Sequence, residues 1–235
     1  IIIYKICFQY KNQDMKKDKI NLKDIPKEIP IFPLSNAIFF PNTVLPLNIF
    51  EPRYKQMTED ALKNSKLIGM AQPNLQTIDP IKPRIFEVGC LGKVENYSET
   101  KDGRYLISLK GVTRFKVVKE INNDKLYRTF EVSYEDFSND VEEEENTIDQ
   151  KNLLELIDKT KKFFKMFQLS TDWQVVEKVK PDQLINSLAM ICPFTTGEKQ
   201  RLLETTTLEE RNNILNQIIN FYILSNQSNS QKNIH

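Results

Sequence analysis

Between Ile29 and Tyr54 the chain carries five prolines, Pro30, Pro33, Pro41, Pro46 and Pro52, among large apolar residues. No other stretch restricts folding as much. Proline has a fixed φ and no N–H, so within sheets it is confined to edge strands, strand starts and bulges. The segment Ile29-Pro30-Ile31-Phe32-Pro33-Leu34 and the run from Phe39 to Phe50 must therefore form short, bent, partly unpaired strands. Their bulky apolar side chains sit on a stiff backbone. The pattern then changes. Pro52 suits the first position of a helix, and Glu51 flanks it with a negative charge facing the positive end of the helix dipole. Tyr54, Met57 and Ala61 recur on one face, which predicts a helix over 52–64.

The region from 29 to 137 otherwise alternates with a period of two. Tyr105, Ile107 and Leu109 share one face, as do Phe115, Val117 and Ile121, and then Phe130, Val132 and Tyr134. Lys101-Asp102-Gly103 supplies a hairpin turn, Gly111 a tight turn or bulge, and Asn122-Asn123-Asp124 another hairpin. Several short strands with one inserted helix predict a small, closed or nearly closed, mainly antiparallel β barrel. The acidic stretch from Glu135 to Asn146 reads as a solvated connector, with 138–146 as the linker proper.

From 147 to 225 the periodicity is helical. Thr147 with Gln150, Thr195 with Glu198 and Thr207 with Glu210 fit the capping box. Leu153, Leu156, Ile157, Thr160, Phe164 and Phe167 form one stripe. Leu184, Ile185, Leu188 and Ile191 form a second, and Leu208, Leu215, Ile218, Ile219, Tyr222 and Ile223 a third. The fold class is thus α+β, a barrel with one packed helix followed by a C-terminal helical bundle. Residues 1–28 are expected to be a mobile extension, with Met15 as a natural start, and 226–235 a disordered tail.

Composition excludes several functions. Lys plus Arg and Asp plus Glu nearly cancel to a formal charge of +1, which counts against a dedicated nucleic-acid or anionic-membrane surface. Cys7, Cys90 and Cys192 are scattered and the single histidine is His235, so no metal-ligand spacing exists. No apolar run approaches the roughly 20 residues that span a bilayer. The setting is read as reduced and cytoplasmic. The chain has no G-x-x-x-x-G-K-[ST] loop and no G-x-S-x-G elbow, so neither ATP hydrolysis by that route nor Ser-His hydrolysis is expected, and no cofactor is called for.

The run from Ile29 to Tyr54 resembles the L-P-L-F-P-L opening and L-F-P-G-x-x-L-P-L-H-I-F-E-P-R-Y core of the amino-terminal substrate-binding domain of the ATP-dependent Lon proteases. Asp102-Gly103-Arg104-Tyr105 with Gly111, Arg114 and Phe115 is similar to that family's D-G-R-Y-x-x-x-x-x-G-x-x-R-F block, and Val88 to Val94 to its I-G-T-x-A-x-I strand. Asn48 replaces the frequent His and Asn42 the usual Gly. The resemblance implies a PUA-like barrel and a non-enzymatic module that recognises unfolded or apolar polypeptide segments. It also implies a connection with Lon-type proteolysis, in which a separate ATP-dependent protease is the partner.

Phe40, Pro41, Leu45, Pro46, Phe50 and Tyr54 are the candidate peptide-binding residues, because apolar side chains beside unpaired strand amides suit an extended chain. Glu51 and Arg53 are read as helix-capping charges, Arg114 as a strand residue pairing across the sheet, Cys90 as a core residue and Trp173 as packing. The competing class is RNA or small-ligand binding through a PUA-like barrel. A hydrolase requires carboxylates such as Glu87 and Glu95 to converge.

Overall fold

The computed structural model describes residues 21–74, 83–141 and 148–232. The strands are β1 (Glu28–Pro33), β2 (Val44–Ile49), β3 (Leu67–Ala71), β4 (Val88–Glu99), β5 (Tyr105–Ile121) and β6 (Arg128–Ser133). Helix α1 (Pro52–Lys63) lies between β2 and β3. The helices α2 (Gln150–Met166), α3 (Trp173–Val176), α4 (Pro181–Ile191), α5 (Thr196–Glu204) and α6 (Leu208–Lys232) follow the sheet. The order across the sheet is β2-β5-β4-β3-β1-β6, and β5 also pairs with β6. All pairs are antiparallel except β1 with β3. The protein is therefore a mixed α+β fold, a six-stranded sheet with several helices.

Alternation along the strands sorts the apolar residues into two clusters. Ile29 and Ile31 point with Leu67, Ala71, Leu91, Phe115, Phe130 and Val132 into one. Phe32, Ile68, Met70 and Cys90 face the other way, into a cluster shared with α1 and the C-terminal helices. Every residue of β3 is buried, as befits a strand covered on both faces.

The prolines occupy the places that their chemistry allows. Pro30 and Pro33 sit in β1, and Pro46 in β2 at the end of the sheet order. Pro52 opens α1. Pro41 enters a turn in which Asn42 has φ +58°, a conformation open to Gly and Asn at little cost. That turn is fastened to Gly111: Asn42 N donates to Gly111 O over 3.0 Å, and Gly111 N to Thr43 O over 2.9 Å. β5 does not stop at Gly111. Gly92 opposes Gly111 while Leu91 opposes Thr113, so Val112 is an extra residue and β5 runs on through a bulge.

Residues 21–27 are anchored, contrary to the mobile extension expected over 1–28. Asn21 caps a short turn, Ile25 is buried in the inner cluster, and Tyr134 Oη donates to Pro26 O over 2.8 Å. Met15 and Cys7 lie outside the described residues. Two further expectations fail. The connector is not a solvated linker where it is described: Glu135–Asp140 is a 3-10 turn with Phe137 buried, because the Asp140 carboxylate accepts from Arg114 N, Nε and Nη2 over 2.8–2.9 Å. The last helix continues to Lys232 rather than ending in a disordered tail from 226, since each added residue of a formed helix gains one backbone bond.

The helices share one core with the sheet. Phe39, Phe40, Met57 and Met70 belong to the same cluster as Phe163, Leu188, Leu202 and Ile219. Thr195 and Glu198 form the capping box of α5. Asp149 rather than a threonine caps α2, and Thr147 lies outside the described residues. At the α5–α6 junction, Arg114 Nη1 donates to Leu203 O over 3.1 Å and also to Thr205 O. Arg211 Nε donates to Leu202 O over 3.0 Å and its Nη1 to Asn186 Oδ1 over 2.7 Å. Burial and the neighbouring Arg114 guanidinium lower the Arg211 pKa.

A Cβ at Gly111 would lie 2.2 Å from Phe40 O, whereas one at Gly197 would meet nothing within 4 Å. Gly111→Ala should cost at least about 2 kcal/mol in denaturant unfolding, and Gly197→Ala, inside a helix, should gain about 0.5–1 kcal/mol. Asp140→Asn should cost about 3–5 kcal/mol, because it leaves two buried guanidinium groups without their counter-ion. Asp136→Asn, at an exposed pair with Lys116, should change unfolding by less than about 0.5 kcal/mol.

Candidate peptide-binding surface

The six residues singled out by the sequence are divided by the fold. Phe40, Leu45 and Tyr54 are 0%, 4% and 6% exposed, and Pro41 is buried as well. Pro46 is half-buried and Phe50 is 62% exposed. As surface anchors the first four are excluded. The reason lies in the turn and the strand that follow Phe40. Asn186 Nδ2 of α4 donates to Pro41 O over 2.9 Å, and Asn42 Nδ2 to Asp182 Oδ2 over 2.8 Å, which presses the turn against the helices. Along β2 the alternation sends Leu45 and Ile49 inward. Tyr54 packs at a tilt against Phe32 with ring centroids 4.1 Å apart, and burial raises its pKa.

A smaller apolar surface remains at the β2 end of the sheet. Among the described residues β2 pairs with β5 alone, so no described strand lies along its other edge. Asn48 faces Leu106 across the ladder, and Leu106 faces Ser98 on β4. Leu106 is 45% exposed, and Phe50 lies two residues along from Asn48 on the continuation of β2. Tyr97, opposite Ile107, is 57% exposed on the other face of the hairpin from Leu106. Neither Leu106 nor Tyr97 was chosen from the sequence. The signal for Leu106 was present, since it alternates out of phase with inward-facing Ile107 and Leu109.

Two ion pairs flank this surface. Glu51 meets Arg53 at 2.8 Å, so the reading of these two as charges at the helix start describes where they sit, although Glu51 makes no side-chain cap. Asp102 meets Arg104 at 2.7 Å at the tip of the β4–β5 hairpin, where Gly103 has φ +73°. A hydrogen bond from the Thr100 hydroxyl holds the Asp102 carboxyl below its usual range. Tyr105 Oη reaches Glu59 Oε1 over 3.3 Å and ties the hairpin to α1.

Nothing described assembles reactive groups. Glu87 and Glu95 are separated along β4 by roughly 26 Å at about 3.3 Å per residue, and Glu95 pairs with Lys110. Among the described residues no cluster of three His, Cys, Asp or Glu could hold a metal ion. Burial raises the thiol of Cys90 and pushes that of Cys192 up to about 12, which suppresses the thiolate that reactivity needs. Trp173 packs edge-on against Phe164 at 5.4 Å, with Lys161 over its face. No described helix is long and apolar enough to cross a membrane.

Comparison with known proteins adds independent findings. The family model for the ATP-dependent protease La (LON) substrate-binding domain matches residues 28–220. The Lon protease of Dictyoglomus thermophilum is 27% identical over 199 residues, covering 84% of this chain and 25% of that protein. The Lon protease of Anaeromyxobacter dehalogenans is 29% identical over 209 residues, covering 86% and 24%. The chain therefore spans about a quarter of the length of the curated relatives it matches. Among solved structures, the N-terminal domain of Mycobacterium avium complex Lon protease superposes with a TM-score of 0.59 at 17% identity, over 82% of this chain and 98% of that one. The Lon N-terminal domain protein from Xanthomonas campestris gives 0.54 at 20% identity, over 78% and 94%.

Single substitutions should separate the surface from its framework. Phe50→Ser should change unfolding free energy by less than about 0.5 kcal/mol, whereas Phe40→Ser should cost more than about 3 kcal/mol. Urea unfolding followed by tryptophan fluorescence at Trp173 measures both.

Proposed function

We propose that this chain, which belongs to the substrate-binding domain family of ATP-dependent Lon proteases, binds extended, unfolded or apolar polypeptide segments at the open edge of β2. The carrying observation is the coincidence of exposed Phe50 and Leu106 with an edge of β2 along which no described strand lies. A segment added to β2 gains main-chain hydrogen bonds that are indifferent to sequence, while Phe50 and Leu106 favour apolar side chains. Pro46 lies in the edge strand itself and limits its pairing with further strands, so it tempers self-aggregation. Phe40, Pro41, Leu45 and Tyr54 serve as the rigid framework behind this surface.

The reading is of a non-enzymatic module. Apolar burial and strand addition require no covalent step and no cofactor, and they would deliver a client to a separate ATP-dependent protease in a cytoplasmic setting. In the same reading, β1, β3, β4, β5 and β6, each paired with two others of the set, form the small PUA-like barrel expected from the sequence. The space they surround is occupied by side chains such as Ile29, Leu91, Phe115 and Phe130, which favours the peptide reading over a small ligand held inside. The near-neutral charge disfavours RNA.

The test is a fluorescence-anisotropy titration with a labelled, carboxymethylated unfolded protein. Phe50→Ser should weaken binding roughly tenfold or more, the worth of one large apolar side chain, with the fold intact. Unchanged affinity in both Phe50→Ser and Leu106→Ser would remove the site from this edge. ATP or casein turnover that tracks with the purified chain would overturn the non-enzymatic reading.

A further inference from the structure

The chain carries a segment of its own of the kind that a strand edge accepts. Seven of residues 1–8 are apolar, Lys5 is the one charge in residues 1–10, and neither Pro nor Gly interrupts them. β-branched and aromatic residues at this density favour strands, and such a segment left unpaired is an aggregation hazard. Ile2, Tyr4, Ile6 and Phe8 fall on one side of an extended chain, an apolar row that suits exposed Phe50 and Leu106. Residues 11–20 are a different kind of sequence. Six of the ten are charged, the composition of a spacer rather than of a core element. They join the described structure at Asn21.

We propose that residues 1–8 add to the edge of β2 in their own chain, antiparallel to that strand, and cover the binding surface until a client displaces them. Reach and direction follow from where the spacer is fixed. Leu22 packs against the inner cluster, as does Val141, next to the Asp140 that holds Arg114. Arg114 is four residues, about 13 Å of strand, from Lys110, and Lys110 faces Val44. Residues 11–20 extend to about 33 Å, so they deliver residue 10 to the Val44 end of β2. Residues 8 to 1 then run toward Phe50 along the six residues of β2. Pairing within one chain removes two hazards together, the strand edge and the apolar segment. The pairing rests on the peptide reading of this edge and adds its regulation, since the segment is a tethered competitor at roughly millimolar effective concentration. A chain started at Met15 lacks the segment and has the edge open to clients.

Disulfide trapping in the full chain locates the segment. Cys7 supplies one thiol, while Cys90 and Cys192 are buried and slow to react. Pro46→Cys should form an intramolecular disulfide with Cys7 under mild oxidation. Phe50→Cys, about 13 Å further along the strand, should not. No crosslink, a crosslink to position 50 in preference to 46, or one between two chains overturns the proposal. Client titration reads the regulation. Ile3→Asp with Ile6→Asp should tighten binding of the carboxymethylated unfolded protein at least about threefold, as removal of a tethered competitor requires. In that background Phe50→Ser should still weaken binding; if it does so with no gain from the two Ile substitutions, the competition is overturned. A crosslink at position 46 with affinity unchanged by all three substitutions upholds the pairing and overturns client binding at this edge. Affinity that falls on Phe50→Ser without any crosslink does the reverse.

Discussion

Two guanidinium groups close the carboxyl end of α5, and the arrangement of sheet against helices depends on them. A helix leaves its last carbonyls without intrahelical donors, and its C-terminus carries partial negative charge. Arg114 reaches from β5 to the carbonyls of Leu203 and Thr205, and Arg211 returns from α6 to that of Leu202. The Asp140 carboxylate supplies the counter-charge from the connector, at 2.8 Å from Arg114. Arg211 goes on to Asn186, and Asn186 to the carbonyl of Pro41. One chain of hydrogen bonds thus links a strand, the connector, three helices and the proline turn. Such buried charge is expensive to form and more expensive to disrupt, which favours one arrangement over near alternatives.

Much of this fold was legible in the sequence because it follows from local rules. Pro52 with the Tyr54, Met57, Ala61 spacing marked α1, observed as Pro52–Lys63. The Thr195 and Glu198 spacing marked the start of α5. Asn42, read as a departure from a usual glycine, adopts the positive φ that such a position needs. Arg114 was read as a residue of the sheet, which it is, but its reach to α5 depends on residues far along the chain. The connector was misread for the same reason. A run of acids looks solvated until one of them, Asp140, is seen to answer a buried cation.

The candidate site was legible in its chemistry and illegible in its orientation. The density of proline and bulky apolar residues between Phe39 and Tyr54 pointed to a special segment, yet composition cannot say which side faces water. Most of that bulk turns inward, since the Pro41 turn is held by Asn186 and Gly111. What stays outside is Phe50, with Leu106 contributed by another strand. An edge next to such a fixed turn would need little reordering to pair with an arriving segment, which would lower the entropic cost of the proposed association.

The shared core also bears on the order in which the chain acquires its structure. Pro41 O accepts from Asn186 across a sequence separation of 145, and Phe39 and Phe40 are covered by residues of α4 to α6. During synthesis the strands therefore leave the ribosome long before the side chains that complete their packing. Until then Phe39, Phe40 and Leu45 lie bare on a stiff, extended backbone, and that is the kind of segment the β2 edge is suited to hold. Contacts of this range slow folding and prolong exposure to aggregation. On the proposed reading, a nascent chain of this protein would for that interval display the class of segment that its own finished copies bind.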